Sequence, residues 1–283
     1  MHFTKWQGCG NDFVFVNAME QPIEPILRHT TRLCDRHYGI GADGVIFILP
    51  SDKADLCMRI FNTDGSEAEM CGNGIRCFAR WARELGLTGG ADTFSVETGA
   101  GILYPEILPG GEVRVDMNRP HLAADEIPVS GLGEGPVISE TIYSEILGTS
   151  FQVTCVSMGN PHCVIFVPDM ADVDLTRLGP ALESDPHFPR KTNVEFVQKL
   201  DERTLRMRVW ERGAAVTLAC GTGSCATLVA AVLNRLVDRE ADLILDGGRL
   251  HVEWDGKPED HVFMTGPAEK VYEGEYPLEG ESK

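Results

Sequence analysis

No Cys-x-x-Cys pair occurs among the nine cysteines of this 283-residue chain. Cys71 and Cys77 are six positions apart, Cys155 and Cys163 eight, Cys220 and Cys225 five. Zinc knuckles and iron–sulfur loops, which use such pairs, are therefore poorly supported. Long apolar runs are also missing. The longest mostly apolar stretch, Ala226–Leu233, is far too short to span a bilayer. Basic charge is scarce: 25 Lys and Arg against 43 Asp and Glu leave a net charge of −18. Nucleic acid and anionic membranes are excluded as natural partners, because no run of basic residues offsets that field. An anionic small molecule would need local donors for the same reason. The segment Met1–Gly8 has no charged stretch followed by an apolar one, so no secretion signal is expected. The cytoplasm is the expected compartment, where most of the cysteines would serve as small reduced core residues.

What is present is a repeat. A gapless shift of 149 residues lays Cys220 on Cys71 and Ala219-Cys220-Gly221-Thr222-Gly223 on Met70-Cys71-Gly72-Asn73-Gly74. It also lays Met207-Arg208-Val209-Trp210 on Met58-Arg59-Ile60-Phe61, Gly159-Asn160 on Gly10-Asn11, and Leu245-Asp246 on Val96-Glu97. Each copy reads as strands followed by a helix. The strands are expected at Phe13–Val16, Val45–Ile48 and Leu56–Phe61, matched by His162–Ile165, Val194–Val197 and Leu205–Trp210. The helices are expected from about Gly74 to Leu85 and from about Gly223 to Leu236, the second so apolar that burial at a domain centre is implied. Short strands should follow at Thr93–Glu97 and Asp242–Leu245. The expected architecture is α+β: two pseudo-symmetric domains, each a mixed sheet wrapped around one helix, with the active site in the interdomain cleft. The domains would span 1–119, completed by 266–283, and 120–265. Pro120–Leu147, with its prolines and glycines, reads as the linker, and Glu279–Lys283 as a frayed tail.

A cysteine followed by Gly-x-Gly at a helix start meets unpaired backbone N–H groups and the positive end of the helix dipole. Both favour thiolate, so the thiol pKa is expected to fall. The same N–H groups can cradle a carboxylate. One such turn reads most simply as an inert cap; two in register read as chemistry. One thiolate would take a proton from the Cα of an amino acid while the opposite thiol delivers another, with no metal or pyridoxal phosphate required. Gly39-Ile40-Gly41-Ala42-Asp43-Gly44 has dinucleotide-loop spacing but the wrong order of elements around it. Trp81 reads as core packing.

The segments Asn62 to Gly74 and Glu211-Arg212-Gly213 through Gly223 resemble the two active-site signatures of the diaminopimelate epimerase family. Gly8 to Phe13, Gly159-Asn160-Pro161-His162 and Thr192 to Phe196 match that family in order, so the resemblance spans nearly the whole chain. It implies interconversion of LL- and meso-diaminopimelate for lysine and peptidoglycan precursors, without cofactor, by a homodimer. Cys71 and Cys220 would be the acid/base pair, supported by His162 and Glu211. Gly72, Asn73, Gly221 and Thr222 would hold the reacting end; Asn11, Asn62, Asn160, Asn193 and Arg212 would bind the rest, including the distal carboxylate. One departure is Gly44, where many family members carry Gln; it is the repeat partner of Asn193. The rivals are a proline racemase-like enzyme, disfavoured because that family typically has His at the position of Asn73, and a non-catalytic thiol switch.

Overall fold

The computed structural model describes residues 1–278, so the expected tail Glu279–Lys283 lies outside the described residues. The chain divides into two units: Met1–Val115 together with the chain from Gly266 onward, and Asp116–Thr265. Each contains a mixed sheet, giving the α+β class expected. Among the described residues, no helix is long and apolar enough to cross a membrane.

The first unit runs β1 (His2–Gly8), β2 (Asn11–Asn17), the short helices α1 (Ile23–Leu27) and α2 (Thr30–Cys34), β3 (Gly44–Leu49) and β4 (Leu56–Asn62). Then come the two-residue β5 (Glu67–Ala68), helix α3 (Gly72–Glu84), and the hairpin strands β6 (Val96–Thr98), β7 (Gly101–Leu103), β8 (Glu106–Ile107) and β9 (Val113–Asp116). The strand Glu269–Glu275 forms one edge of the sheet, followed in space by β1, β2, β3, β4, β6 and β7. Strands β2 and β3 pair in parallel, which is why both are apolar on both faces. Val14, Val16, Val45 and Phe47 pack with Ile26 of α1 and Leu33 of α2. The opposite face meets α3, where Trp81 stacks edge-on against Phe15 with centroids 5.2 Å apart, a core role as expected.

The second unit runs β10 (Glu140–Ser144), β11 (Thr149–Ser157), β12 (Pro161–Phe166), helix α4 (Leu175–Glu183), β13 (Asn193–Lys199) and β14 (Thr204–Glu211). It continues with β15 (Ala215–Thr217), helix α5 (Gly221–Leu233), β16 (Glu240–Ile244), β17 (Arg249–Trp254) and β18 (Val262–Gly266). Spatial order is β10-β11-β12-β13-β14-β16-β17-β18. Helix α5 is apolar all round because it packs against β11–β14, β16 and β17, and Cys225, Ala226, Leu228, Val229, Ala230 and Ala231 are fully buried.

The repeat holds at the level of hydrogen-bond register. Phe13 pairs with Gly44 as His162 pairs with Asn193, and Ile60 pairs with Ala68 as Val209 pairs with Thr217. The helices start at Gly72 and Gly221, two residues earlier than expected, because the cysteines themselves are the N-caps. Beyond the helices the shift changes. Leu56 pairs with Val96, whereas its partner Leu205 pairs with Leu243, so the offset there is 147 (243 − 96) and Val96-Glu97 does not correspond to Leu245-Asp246.

Pro120–Leu147 is not a linker. Ala124, Ile127, Val129, Val137 and Ile142 are buried in one cluster with Cys163, Ile165, Val194 and Phe196, and the segment ends in strand β10. Its apolar residues, scattered without periodicity, cover the face of the second sheet opposite α5. Burying them stabilises that unit by roughly 25 cal/mol per Å² removed from water, which explains why the segment folds onto the sheet.

Candidate active site

Each cysteine is placed by the same local device. Cys71 has extended backbone (φ −141°, ψ 122°), and its sulfur accepts the N–H of Gly74 at 3.5 Å. Cys220 has φ −123° and ψ 114°, and its sulfur accepts the N–H of Gly223 at 3.3 Å. Sulfur thus takes the role usually filled by a Ser or Asp oxygen at the N-cap. Glycine at the third helical position allows it: a Cβ at Gly223 would lie 3.2 Å from the Cys220 sulfur.

In the first unit, Asn11 and Asn73 join Cys71. Cys9 and Gly10 both take positive φ (52° and 79°), the two-residue hairpin geometry that delivers Asn11 at the head of β2. The Cys71 thiol donates to Asn11 Oδ1 at 3.6 Å, the Asn73 amide donates to the same oxygen at 3.1 Å, and Asn11 Nδ2 donates to Asp43 at 2.7 Å. Gly72, the first residue of α3, is buried. Asn62 is apart from this group: it is exposed and donates to Ser66 Oγ at 3.0 Å. Gly44 could carry no side chain without a shift, because a Cβ there would sit 2.7 Å from the Phe61 carbonyl oxygen.

In the second unit, Cys220 Sγ and Thr222 Oγ1 are 3.5 Å apart, and Asn160 Nδ2 donates to Thr222 Oγ1 at 3.3 Å. His162 Nε2 faces Asn160 Oδ1 at 3.0 Å, while Nδ1 faces Glu195 Oε1 at 2.7 Å. Gly221 opens α5 and is buried. The Thr217 hydroxyl donates to Glu211. Asn193 pins two strand ends, accepting the Arg212 backbone N–H and donating to the Pro161 carbonyl, each at 2.8 Å. Arg212 and Arg190 line a polar recess of about 220 Å³ with Glu126, Ser157, Gly159 and Pro161. Two guanidinium groups in a concave polar site are a suitable receptor for a carboxylate.

The expected fall in thiol pKa does not occur at Cys220. Burial pushes that thiol well above its ordinary value, and the carboxylates of Glu211 and Glu195 add to the push; the Thr222 hydroxyl and the Gly223 N–H pull the other way without prevailing. Desolvation of a thiolate outweighs the helix terminus here. Burial likewise raises the pKa of Glu195, against the pull of His162. Glu195, Arg190 and Asp43 were not singled out as site residues from the sequence. Glu195 left one signal: it is a charged residue between Val194 and Phe196 in the buried part of β13, and its repeat partner is Ile46.

The chain matches the family described as diaminopimelate epimerase over residues 3–123 and 154–271. It is 53% identical to a diaminopimelate epimerase of Moorella thermoacetica, over 99% of this chain and 100% of the relative. It is 51% identical to one of Pelotomaculum thermopropionicum, over 98% of this chain and 99% of the relative. Among solved structures it resembles a Bacillus anthracis phenazine biosynthesis protein of the PhzF family (TM-score 0.72, 19% identity, 98% and 99% of the two chains covered). It also resembles a hydroxyproline epimerase of Agrobacterium vitis (TM-score 0.69, 16% identity, 97% and 90% covered). The latter two likenesses are of fold. The sequence likeness decides between the rival readings, and the chain belongs to the diaminopimelate epimerase family, as an isomerase.

Proposed function

We propose that this protein interconverts LL- and meso-diaminopimelate by a two-base mechanism in which Cys71 and Cys220 act on opposite faces of one Cα. The observation that supports it is the repetition of a cysteine N-cap, sulfur on the third-residue N–H, at equivalent positions of two like units. In one direction the Cys71 thiolate takes the Cα proton, and the electron pair left on carbon is delocalised into the substrate carboxylate. Helix N-terminal N–H groups at Gly72–Asn73 and Gly221–Thr222 stabilise that charge. The Cys220 thiol then delivers its proton to the other face and is left as thiolate, ready for the reverse reaction. A thiol whose pKa is raised by burial and two carboxylates rests protonated, which suits Cys220 to the acid role, and its thiolate is the stronger base on return. Asn11 and Asn73 orient Cys71; His162 and Glu211 serve Cys220 and the substrate amino group; Arg212 takes the distal carboxylate, with Asn62, Asn160 and Asn193 around it.

On the family resemblance we further assign the enzyme to the cytoplasm, which cell fractionation would test, and to a homodimer, which light scattering would test. For the activity itself, LL-diaminopimelate is incubated in D2O with the purified enzyme and no added cofactor. Deuterium should appear at Cα together with the meso form. Proline handled as efficiently, or no exchange at all, would overturn the reading.

A further inference from the structure

The two units form an internal control. They share strand register and helix start, yet the buried residues beside the two cysteines differ. Phe13 and Ile46 in the first unit stand where the second has His162 and Glu195. The replacement is position for position: a Cβ at Gly74 would meet Ile46 Cδ1 at 2.9 Å, and a Cβ at Gly223 would meet Glu195 Oε1 at 2.8 Å. The same fold is therefore built once with two apolar side chains and once with a fully buried His–Glu pair. The side chains of both His162 and Glu195 are 0% exposed. Apolar replacement of such pairs in other proteins is often neutral or stabilising, because taking charges out of water opposes folding. Folding alone does not call for the pair. Glu195 adds a further cost, since its second oxygen, Oε2, is buried and accepts no hydrogen bond from another residue.

What the pair touches gives its use. Glu195 Oε1 holds His162 Nδ1 at 2.7 Å, so the ring is fixed with Nε2 toward Asn160. Asn160 donates to Thr222, and Thr222 reaches the Cys220 sulfur. The chain runs unbroken from a buried carboxylate to a sulfur, within one unit. We propose that Glu195 is a positioning residue for the epimerisation: it fixes His162, and through His162, Asn160 and Thr222 it sets the placement and proton-accepting character of the Cys220 sulfur. This rests on the two-thiol reading. Cys71 is oriented through Asn11 and Asn73 instead, and Asn11 in turn donates to Asp43.

Two variants test it in the full-length enzyme. Glu195→Gln keeps the shape and removes the charge; the double variant His162→Phe/Glu195→Ile installs the first unit's own residues. Glu195→Gln should lower kcat about tenfold or more with KM within about threefold, the signature of lost positioning in the transition state. Iodoacetamide labelling followed by mass spectrometry should show the rate at Cys220 changed by about threefold or more, while Cys71 in the same sample is unaffected. The double variant should melt no lower than the parent and lose about a hundredfold or more in kcat. An unchanged kcat in Glu195→Gln, or equal labelling changes at both cysteines, overturns the assignment of Glu195. A double variant that fails to fold overturns the claim that the pair is dispensable for the fold, and Glu195→Gln then decides its role alone. Cys220→Ala is run alongside: if it retains full turnover, the two-thiol reading itself falls, an outcome separable from the others.

Discussion

The two units carry the same backbone and different chemistry. In the first sheet four positions hold Phe13, Gly44, Ile46 and Asn62; in the second the equivalent positions hold His162, Asn193, Glu195 and Glu211. Helix α3 buries Arg76, which donates to the Gly72 and Pro267 carbonyls, whereas its counterpart in α5 is the apolar-packed Cys225. A repeat of this kind separates what the fold requires from what the site requires. Strand pairing and the cysteine cap recur in both copies, so they belong to the fold and to the chemistry common to both thiols. At these four sheet positions carboxylates appear only in the second unit, so they bear on the difference between the thiols. A racemising site handles two mirror-related faces of one carbon, but nothing obliges its two bases to be electrostatic twins.

The comparison breaks outright if one cysteine is dispensable. Cys71→Ala and Cys220→Ala should each lower epimerisation by about a thousandfold or more, within the range of a lost general acid or base. Stopped assays with either epimer as substrate check this, and one variant retaining full activity would mean that a single thiol suffices. Next in size is Arg212, which the second unit alone supplies. Removing a partner of a desolvated carboxylate costs about 2–5 kcal/mol. Arg212→Ala should therefore reduce kcat/KM by about 30-fold to several thousandfold, at about 1.4 kcal/mol per tenfold. Thiol labelling of Cys71 and Cys220 should be largely preserved. Lysine, which lacks the distal carboxylate, should be a very poor substrate for the native enzyme, and efficient lysine racemisation would remove Arg212 from its assigned place.

A smaller effect sharpens the contrast at the caps. Alanine at a helical glycine gains about 0.5–1 kcal/mol from chain entropy. At Gly74 the new Cβ meets the end of the Ile46 side chain, which can rotate aside. At Gly223 it meets Glu195 Oε1 at 2.8 Å and the Cys220 sulfur at 3.2 Å, both already committed to hydrogen bonds. Gly74→Ala should leave the unfolding free energy from urea curves within about 1 kcal/mol of the parent, and Gly223→Ala should lower it by about 1–3 kcal/mol, as overpacking does. Equal losses would mean that Glu195 yields as easily as Ile46.

The core of each unit was legible because the repeat doubled every weak local signal. Alternation in Leu56–Phe61 and again in Leu205–Trp210, under one shift, fixed strand, strand and helix in both copies. Three things were not legible. Ala124, Ile127 and Val129 follow no period, so nothing local marks them as core, and only the sheet face they cover gives them that role. The change of offset from 149 to 147 after the helices lies in a turn and appears only as strand register. The raised pKa of Cys220 arises first from burial and then from carboxylates on β13 and at the end of β14, far from the cap in sequence; an argument from the helix terminus sees the N–H groups but neither the burial nor those carboxylates. Glu195 over Ile46 was nonetheless visible in the repeat as a charge breaking an apolar position.

The smallest expected effect concerns a cysteine that has no role in the site. Cys77, on α3, is fully buried, and burial pushes its thiol up to about 12, with minor electrostatic contributions; its repeat partner on α5 is Ala226. The folded protein therefore keeps this proton to higher pH than the unfolded chain, which releases it near the ordinary value of 9.0. The resulting stability is fully present below pH 9 and is lost as pH rises from there through about 12. In that window the unfolded state gains about 1.4 kcal/mol per pH unit from this one thiol, as an upper bound. Cys77→Ala installs what the second unit already uses at this position. Removing one small buried group should cost about 1 kcal/mol near pH 8. The parent and Cys77→Ala stabilities from urea curves, measured in reductant at half-unit steps from pH 8 to 11, should then converge and, at the upper bound, cross before pH 11, because Lys, Tyr and the other thiols titrate alike in both. A constant gap across that range would mean that Cys77 does not remain protonated in the fold.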